Sequence, residues 1–126
     1  FGILAYLEMN PLHQKLLQRL RLQVRDRFGV ATCLGFGPRF LHSTGQTYKG
    51  GPNSGVFLQI PSEDLTDLLV PGQKYTFGAV KAAQARGDFQ VLCQRKRRIL
   101  RVHLSAPVEN SLTQLSQAVD YGLGSA

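Results

Sequence analysis

Gly2-Ile3-Leu4-Ala5-Tyr6-Leu7-Glu8-Met9-Asn10-Pro11-Leu12 is the stretch on which the fold turns. Its first six residues are an apolar run with one aromatic and no polar alternation, the pattern of a strand buried on both faces. Asn10 and Pro11 then supply a helix start, an N-cap side chain followed by a residue whose missing N–H costs nothing in the first turn. Leu12, Leu16, Leu17, Leu20, Val24 and Phe28 recur at helical spacing, and Gly29 supplies the stop. A buried strand followed at once by an amphipathic helix is the first half of a βαβ unit.

The rest of the chain repeats that alternation. Val30 to Phe36 reads as a second strand, ending in Gly35-Phe36-Gly37-Pro38, and Arg39 to Tyr48 as a short helix. Gly50-Gly51-Pro52-Asn53-Ser54-Gly55 must be a loop, and Val56 to Ile60 is a strand stopped by Pro61. Pro71-Gly72 marks a turn before a helix from Thr76 to Arg86, with a second helical piece from Gly87-Asp88 to Arg95. Ile99 to Leu104 is the last strand, and Pro107 opens a helix carrying Val108, Leu112, Leu115 and Val119. Continuously apolar strands between helices predict an α/β three-layer sandwich with a mostly parallel sheet. One domain over residues 1–121 is expected, with 122–126 as a frayed tail. Ligands of such folds bind beyond the carboxyl ends of the strands, here Glu8-Met9-Asn10, Gly35 to Pro38, and Pro61-Ser62.

The 126 residues suffice for one core, and no apolar run approaches the ~18 residues of a membrane span. The chain opens inside a strand, as a piece of a longer protein would. Cys33 and Cys93 stand far apart with no paired cysteine or histidine nearby. That argues against a disulfide scaffold and a metal site, and suits a reducing cytoplasm.

Fifteen Lys and Arg against eight Asp and Glu give a net charge of +7. The bases fall in two clusters, Arg19 to Arg27 and Arg95 to Arg101, neither interleaved with stacking aromatics. They read as solvated helix surface, not as a nucleic-acid interface. Gly35-Phe36-Gly37 puts bulky Phe40 where a dinucleotide fingerprint needs a small residue, and no Lys-Ser or Lys-Thr follows a glycine loop. Nucleotide binding is therefore not expected.

The densest set of chemically capable residues is Gly35 to Gly55. His42 is the best single candidate for proton transfer, and Arg39, Ser43, Thr44 and Gln46 stand beside it to orient it or hold a hydroxylated ligand. His13 and His103 default to structure or solvent. Lys81 stands on a helix among Ala79, Ala82 and Ala83, where small neighbours let a ligand come close.

The run Gly35-Phe36-Gly37-Pro38-Arg39-Phe40-Leu41-His42-Ser43-Thr44-Gly45-Gln46, then Lys49 to Asn53 and Gly55 to Gln59, resembles the C-terminal part of the phosphoglucose isomerase segment of bifunctional transaldolase/phosphoglucose isomerases. Pro71 to Asp88 and Arg101-Val102-His103-Leu104 resemble that family too, so the likeness extends from about Leu4 to Leu104. It implies a Rossmann-like sugar-isomerase (SIS) domain, the second of two. It also implies isomerisation of glucose 6-phosphate and fructose 6-phosphate without a cofactor or metal. The first SIS domain would hold the sugar phosphate, and a neighbouring subunit would share the site in a homo-oligomer.

Residue by residue, the family motif Gly-Thr-Asn-Gly-Gln-His fits Gly37 to His42, with Gly51 following. That assigns ring opening to His42, although Pro38-Arg39-Phe40-Leu41 replaces the motif's interior. Lys81 after Phe77-Gly78 resembles the lysine that works with this histidine, and Glu8-Met9-Asn10 echoes the family's Met-Glu-Ser-Asn, which implies Glu8 as the base. Tyr48 stands where these relatives usually carry histidine. Alone, this half would be inactive. The competing expectation is a non-catalytic SIS module that binds a sugar phosphate or mediates association.

Overall fold

A computed structural model describes residues 1–124 of the chain. Four strands, β1 (Gly2–Tyr6), β2 (Cys33–Phe36), β3 (Val56–Pro61) and β4 (Arg98–Arg101), form one sheet in the order β2-β1-β3-β4. Every pairing within it is parallel, with Ile3 opposite both Leu34 and Leu58, and Leu58 opposite Leu100. β1 is central, which is why all five of its residues are buried.

α1 (Pro11–Phe28) and α4 (Val108–Gly124) cover one face of the sheet. α2 (Thr44–Gly50) and α3 (Phe77–Gln94) cover the other, with a 3₁₀ turn at Arg39–His42. Period-two geometry divides the strands between these faces. Ile3, Ala5, Leu7, Leu58 and Ile60 point at α1 and α4. Leu4, Tyr6 and Phe57 meet Phe40, Ala85 and Leu92 on the α3 side. This is the three-layer Rossmann-like sandwich expected from the sequence. None of the helices described is long and apolar enough to cross a membrane.

The α1 start is as expected: Asn10 Oδ1 accepts from the His13 amide at 2.8 Å, and Gly29 closes the helix at φ 62°. Other boundaries moved. Residues 30–32 run outside the sheet, so β2 begins at Cys33. The helix expected over Arg39–Tyr48 is broken at Ser43 (φ −130°, ψ −109°) into the 3₁₀ turn and α2. α3 is continuous through Gly87, because Ala85, Asp88 and Leu92 keep one buried stripe across it. That burial outweighs the roughly 1 kcal/mol that glycine costs inside a helix. β4 ends at Arg101, after which only a bridge between Ser62 and Leu104 continues the pairing. α4 extends through Gly124, so the frayed end expected from Gly122 is helical as far as the described residues reach, and 125–126 lie outside them.

The second basic cluster is not simply solvated. Arg97 Nη2 donates to the carbonyls of Lys49 (2.6 Å) and Gly51 (2.7 Å), and Arg98 to those of Asn53 (2.5 Å) and Gly55 (3.2 Å). Two arginines thus clamp the glycine loop whose carbonyls have no ladder partners. Gly37 answers a different demand. A Cβ there would lie 2.6 Å from the Tyr6 ring, so only glycine lets the chain leave β2 over that side chain.

Candidate active site

The strand order changes direction at β1. The chain leaves β1 toward β2 on one side and returns to β3 on the other, which opens a crevice at the carboxyl ends of β1 and β3. Glu8 follows β1 directly and is exposed. Its carboxylate accepts from Asn10 Nδ2 at 3.3 Å. Beneath it His13 is 3% exposed, with Nδ1 2.8 Å from the Glu8 carbonyl and Nε2 3.0 Å from Glu109 Oε1. The Glu109 carboxyl is held below its ordinary range by its own backbone amide and then by His13. His13 is therefore structural, tying the end of β1 to the start of α4.

Lys81, on the second turn of α3, reaches the same crevice. Its Nζ lies 2.6 Å from Asp64 Oδ1. Asp64 belongs to the strap of residues 62–76 between β3 and α3, as does Asp67, whose Oδ1 accepts from the amides of Leu68 and Gly78 at 2.8 Å each. The Thr76 hydroxyl and then the Gly78 amide hold the Asp67 carboxyl below its ordinary range. Glu8, Lys81, Pro38 and Phe77 line a cleft of about 480 Å³. Its charged lining is Glu8, Asp64, Asp67 and Lys81, and the lysine is already paired.

His42 lies elsewhere. It ends the 3₁₀ turn, exposed and with no hydrogen bond to any described residue, and does not line the Glu8 cleft. The neighbours expected to orient it are otherwise engaged. Ser43 Oγ donates to the Phe40 carbonyl at 3.2 Å, and Gln46 Nε2 to the Leu41 carbonyl at 2.7 Å, both satisfying the turn's own backbone. Arg39 touches Met9 Sδ at 3.7 Å and lines, with Ser43 and Thr44, a shallow groove beside β2. The structure thus brings Glu8 and Lys81 together and leaves His42, Arg39, Ser43, Thr44 and Gln46 on the β2 side.

Tyr48 is packed on Phe57 with ring centroids 4.9 Å apart, and its hydroxyl is 3.0 Å from Cys33 Sγ. Burial, then that hydrogen bond, pushes its pKa up to about 12. A buried cluster under α3 had no signal in the sequence. Lys49 Nζ lies 2.7 Å from Asp88 Oδ1, and the Tyr6 hydroxyl donates to Asp88 Oδ2 at 3.2 Å. Burial and the Asp88 charge raise the Tyr6 hydroxyl far above its ordinary range. Asp64 and Arg101 were missed as well, whereas Ser62 was noted only as the carboxyl end of a strand. The three sit in segments that read as a loop, a strand and a strand end, and only the strand order makes them neighbours.

No protein-family model and no curated protein matches the chain. Among solved structures, the crystal structure of a hypothetical protein from Thermus thermophilus is similar, with a TM-score of 0.80 at 15% identity over 97% of this chain. The chain spans 34% of that protein's length. At that identity the likeness shows the fold alone.

Proposed function

We propose that this chain is the second SIS half of a glucose-6-phosphate isomerase and supplies part of an active site completed by another domain and another copy. The observation that carries the reading is the meeting of Glu8 and Lys81. Far apart in sequence and both implied by the resemblance, they line one cleft at the point where the strand order reverses. Aldose–ketose isomerisation needs a carboxylate to move a proton between C1 and C2, and an acid/base group at the ring oxygen. Glu8 suits the first task and Lys81 the second.

Two features of the cleft agree with a half-site. Its unbalanced carboxylates disfavour a phosphate, which would sit in the first SIS domain as the resemblance implies. His42 stands apart and exposed, so it would serve a site completed by a neighbouring copy. Exposed Leu65, Leu68, Leu69 and Phe77 around the strap give that association apolar surface. A cytoplasmic homo-oligomer belongs to the same proposal.

The competing reading is a non-catalytic SIS module, and the locked Lys81–Asp64 pair favours it. One experiment separates the two. The 126-residue chain alone is expected to show no saturable isomerase turnover, and mixing it with a first SIS domain is expected to restore some. In the complete enzyme, Glu8→Gln should abolish solvent-deuterium incorporation at C2 and leave ring opening intact. Wild-type incorporation in that variant would sink the isomerase assignment.

A further inference from the structure

We propose that this chain associates head to tail, with the strap between β3 and α3 of one copy docked on the amino end of the sheet of a second copy. The proposal rests on the association in the reading above, not on its chemistry, and it names the surface that the strap meets.

An all-parallel sheet gives the molecule two unlike ends. The helices run back against the strands, starting at the carboxyl end and finishing at the amino end. The last turns of α1 and α3 therefore lie beside the first residues of β2, β3 and β4. Val56 and Arg98, which open β3 and β4, stand opposite each other there. Phe28, Val30 and Val56 expose apolar surface at this end, Phe28 the most at 58%. The charge around them is basic. Arg27, Arg95 and Lys96 are exposed and have no ion-pair partner among the described residues. Arg98 donates to the carbonyls of Asn53 and Gly55, which leaves its charge uncancelled. The acids at this end are engaged, Asp26 by Arg25 at 2.7 Å and Asp120 by Gln23 Nε2.

The strap at the carboxyl end is the reverse. Leu65, Leu68 and Leu69 are the most exposed leucines among the described residues, Leu65 at 85%. Glu63, Asp64 and Asp67 accompany them, against Lys74 as the strap's one base. Lys81 cancels Asp64, but Glu8 lies beside Glu63 and restores the acidic excess. Each face is an apolar patch rimmed by charge, the pattern of an interaction surface. The sign of the rim selects the partner. Strap on strap sets acid against acid, and amino end on amino end sets base against base. Strap on amino end joins the leucines to Phe28 and Val56 between opposite charges. The two faces stand at opposite ends of the sheet, so one chain cannot close the contact on itself. A pairing of unlike faces leaves one of each free, and growth continues beyond the dimer.

Sedimentation of the 126-residue chain at low salt should show a mass that rises with concentration past the dimer. Affinity should fall at least about tenfold between about 0.1 M and about 1 M potassium chloride, as the screening length shrinks from ~10 Å to ~3 Å. Two variants blunt one face each: Glu63→Arg/Leu68→Arg the strap, and Arg27→Glu/Phe28→Glu the amino end. Each alone is expected to be a monomer. Mixed, they should form a 1:1 dimer that grows no further, because each keeps the face that the other has lost. A wild type that stays monomeric at millimolar concentration, or a mixture no more associated than its parts, would overturn the proposal. So would wild-type association that stops at the dimer, which marks a contact between like faces. All four positions are exposed. If either variant does not fold, Leu65→Arg replaces the first and Arg95→Glu the second, with the same outcomes deciding. No substrate enters these measurements, so a dimer of like faces overturns the head-to-tail contact and leaves the isomerase reading to the deuterium test.

Discussion

Lys81 Nζ and Asp64 Oδ1 stand 2.6 Å apart, so the lysine that reaches the Glu8 cleft is neutralised by the strap that precedes its own helix. The two side chains are 19% and 30% exposed, which places the pair between the surface and the interior. An ion pair this accessible contributes no more than about 1 kcal/mol. Its larger effect is on where the ammonium can go. Asp64→Asn should cost little stability and raise the acylation rate of Lys81 several-fold, read by mass spectrometry after brief exposure to an amine-reactive ester. An unchanged rate would show that the pair does not restrain the lysine.

The Lys49–Asp88 pair should behave differently. Asp88 is 2% exposed and Lys49 17%, so removing one charge strands the other. Lys49→Met should cost about 3–5 kcal/mol in urea unfolding, the scale for a widowed buried charge. The double variant Lys49→Met/Asp88→Leu should recover much of that loss. Equal losses in the single and double variants would contradict the account.

Lys96 carries the chain out of α3 at φ 55°, with the Lys96 amide on the Cys93 carbonyl and the Arg97 amide on that of Leu92. This is a Schellman ending with lysine where glycine is usual. The left-handed conformation costs a residue with a Cβ about 1 kcal/mol. Lys96→Gly should therefore raise stability by about that amount, visible as a higher urea midpoint with an unchanged slope. A lower midpoint would mean that the lysine side chain contributes something the backbone account omits.

Asp67 ties acid stability to the strap. Its folded pKa is depressed below the ordinary 3.8 by the Thr76 hydroxyl and the Gly78 amide. A depressed carboxyl contributes stability that is complete above its unfolded pKa and is lost as pH falls through the folded one. Wild-type stability should thus decline below pH 3.8 in part through this group, and Asp67→Asn should flatten that decline while lowering stability at neutral pH. Urea midpoints across the acid range check it. Parallel acid limbs for the two proteins would remove Asp67 from the account.

The sequence by itself determined the layers and the sheet type. Gly2 to Leu7 reads as a strand with both faces covered, and Asn10-Pro11 with Gly29 as the start and stop of a helix, because each signal is local and rests on backbone chemistry. It also brought out Glu8 and Lys81, though through a resemblance. It missed the continuity of α3 through Gly87, where burial of Asp88 and Leu92 overrode a breaker, and the break at Ser43, where the Ser43 amide and hydroxyl both turn back to the Phe40 carbonyl. The neighbours of each functional side chain were decided only by tertiary structure. Ser62 and Arg101 are ordinary ends of two strands until the order β2-β1-β3-β4 sets β3 beside β4. His42 shows the converse, since its sequence neighbours Ser43 and Gln46 serve their own backbone. Local pattern fixes which elements form, because it depends on residues within a turn or a pleat. Strand order decides which ends meet, because it depends on contacts that no single segment contains.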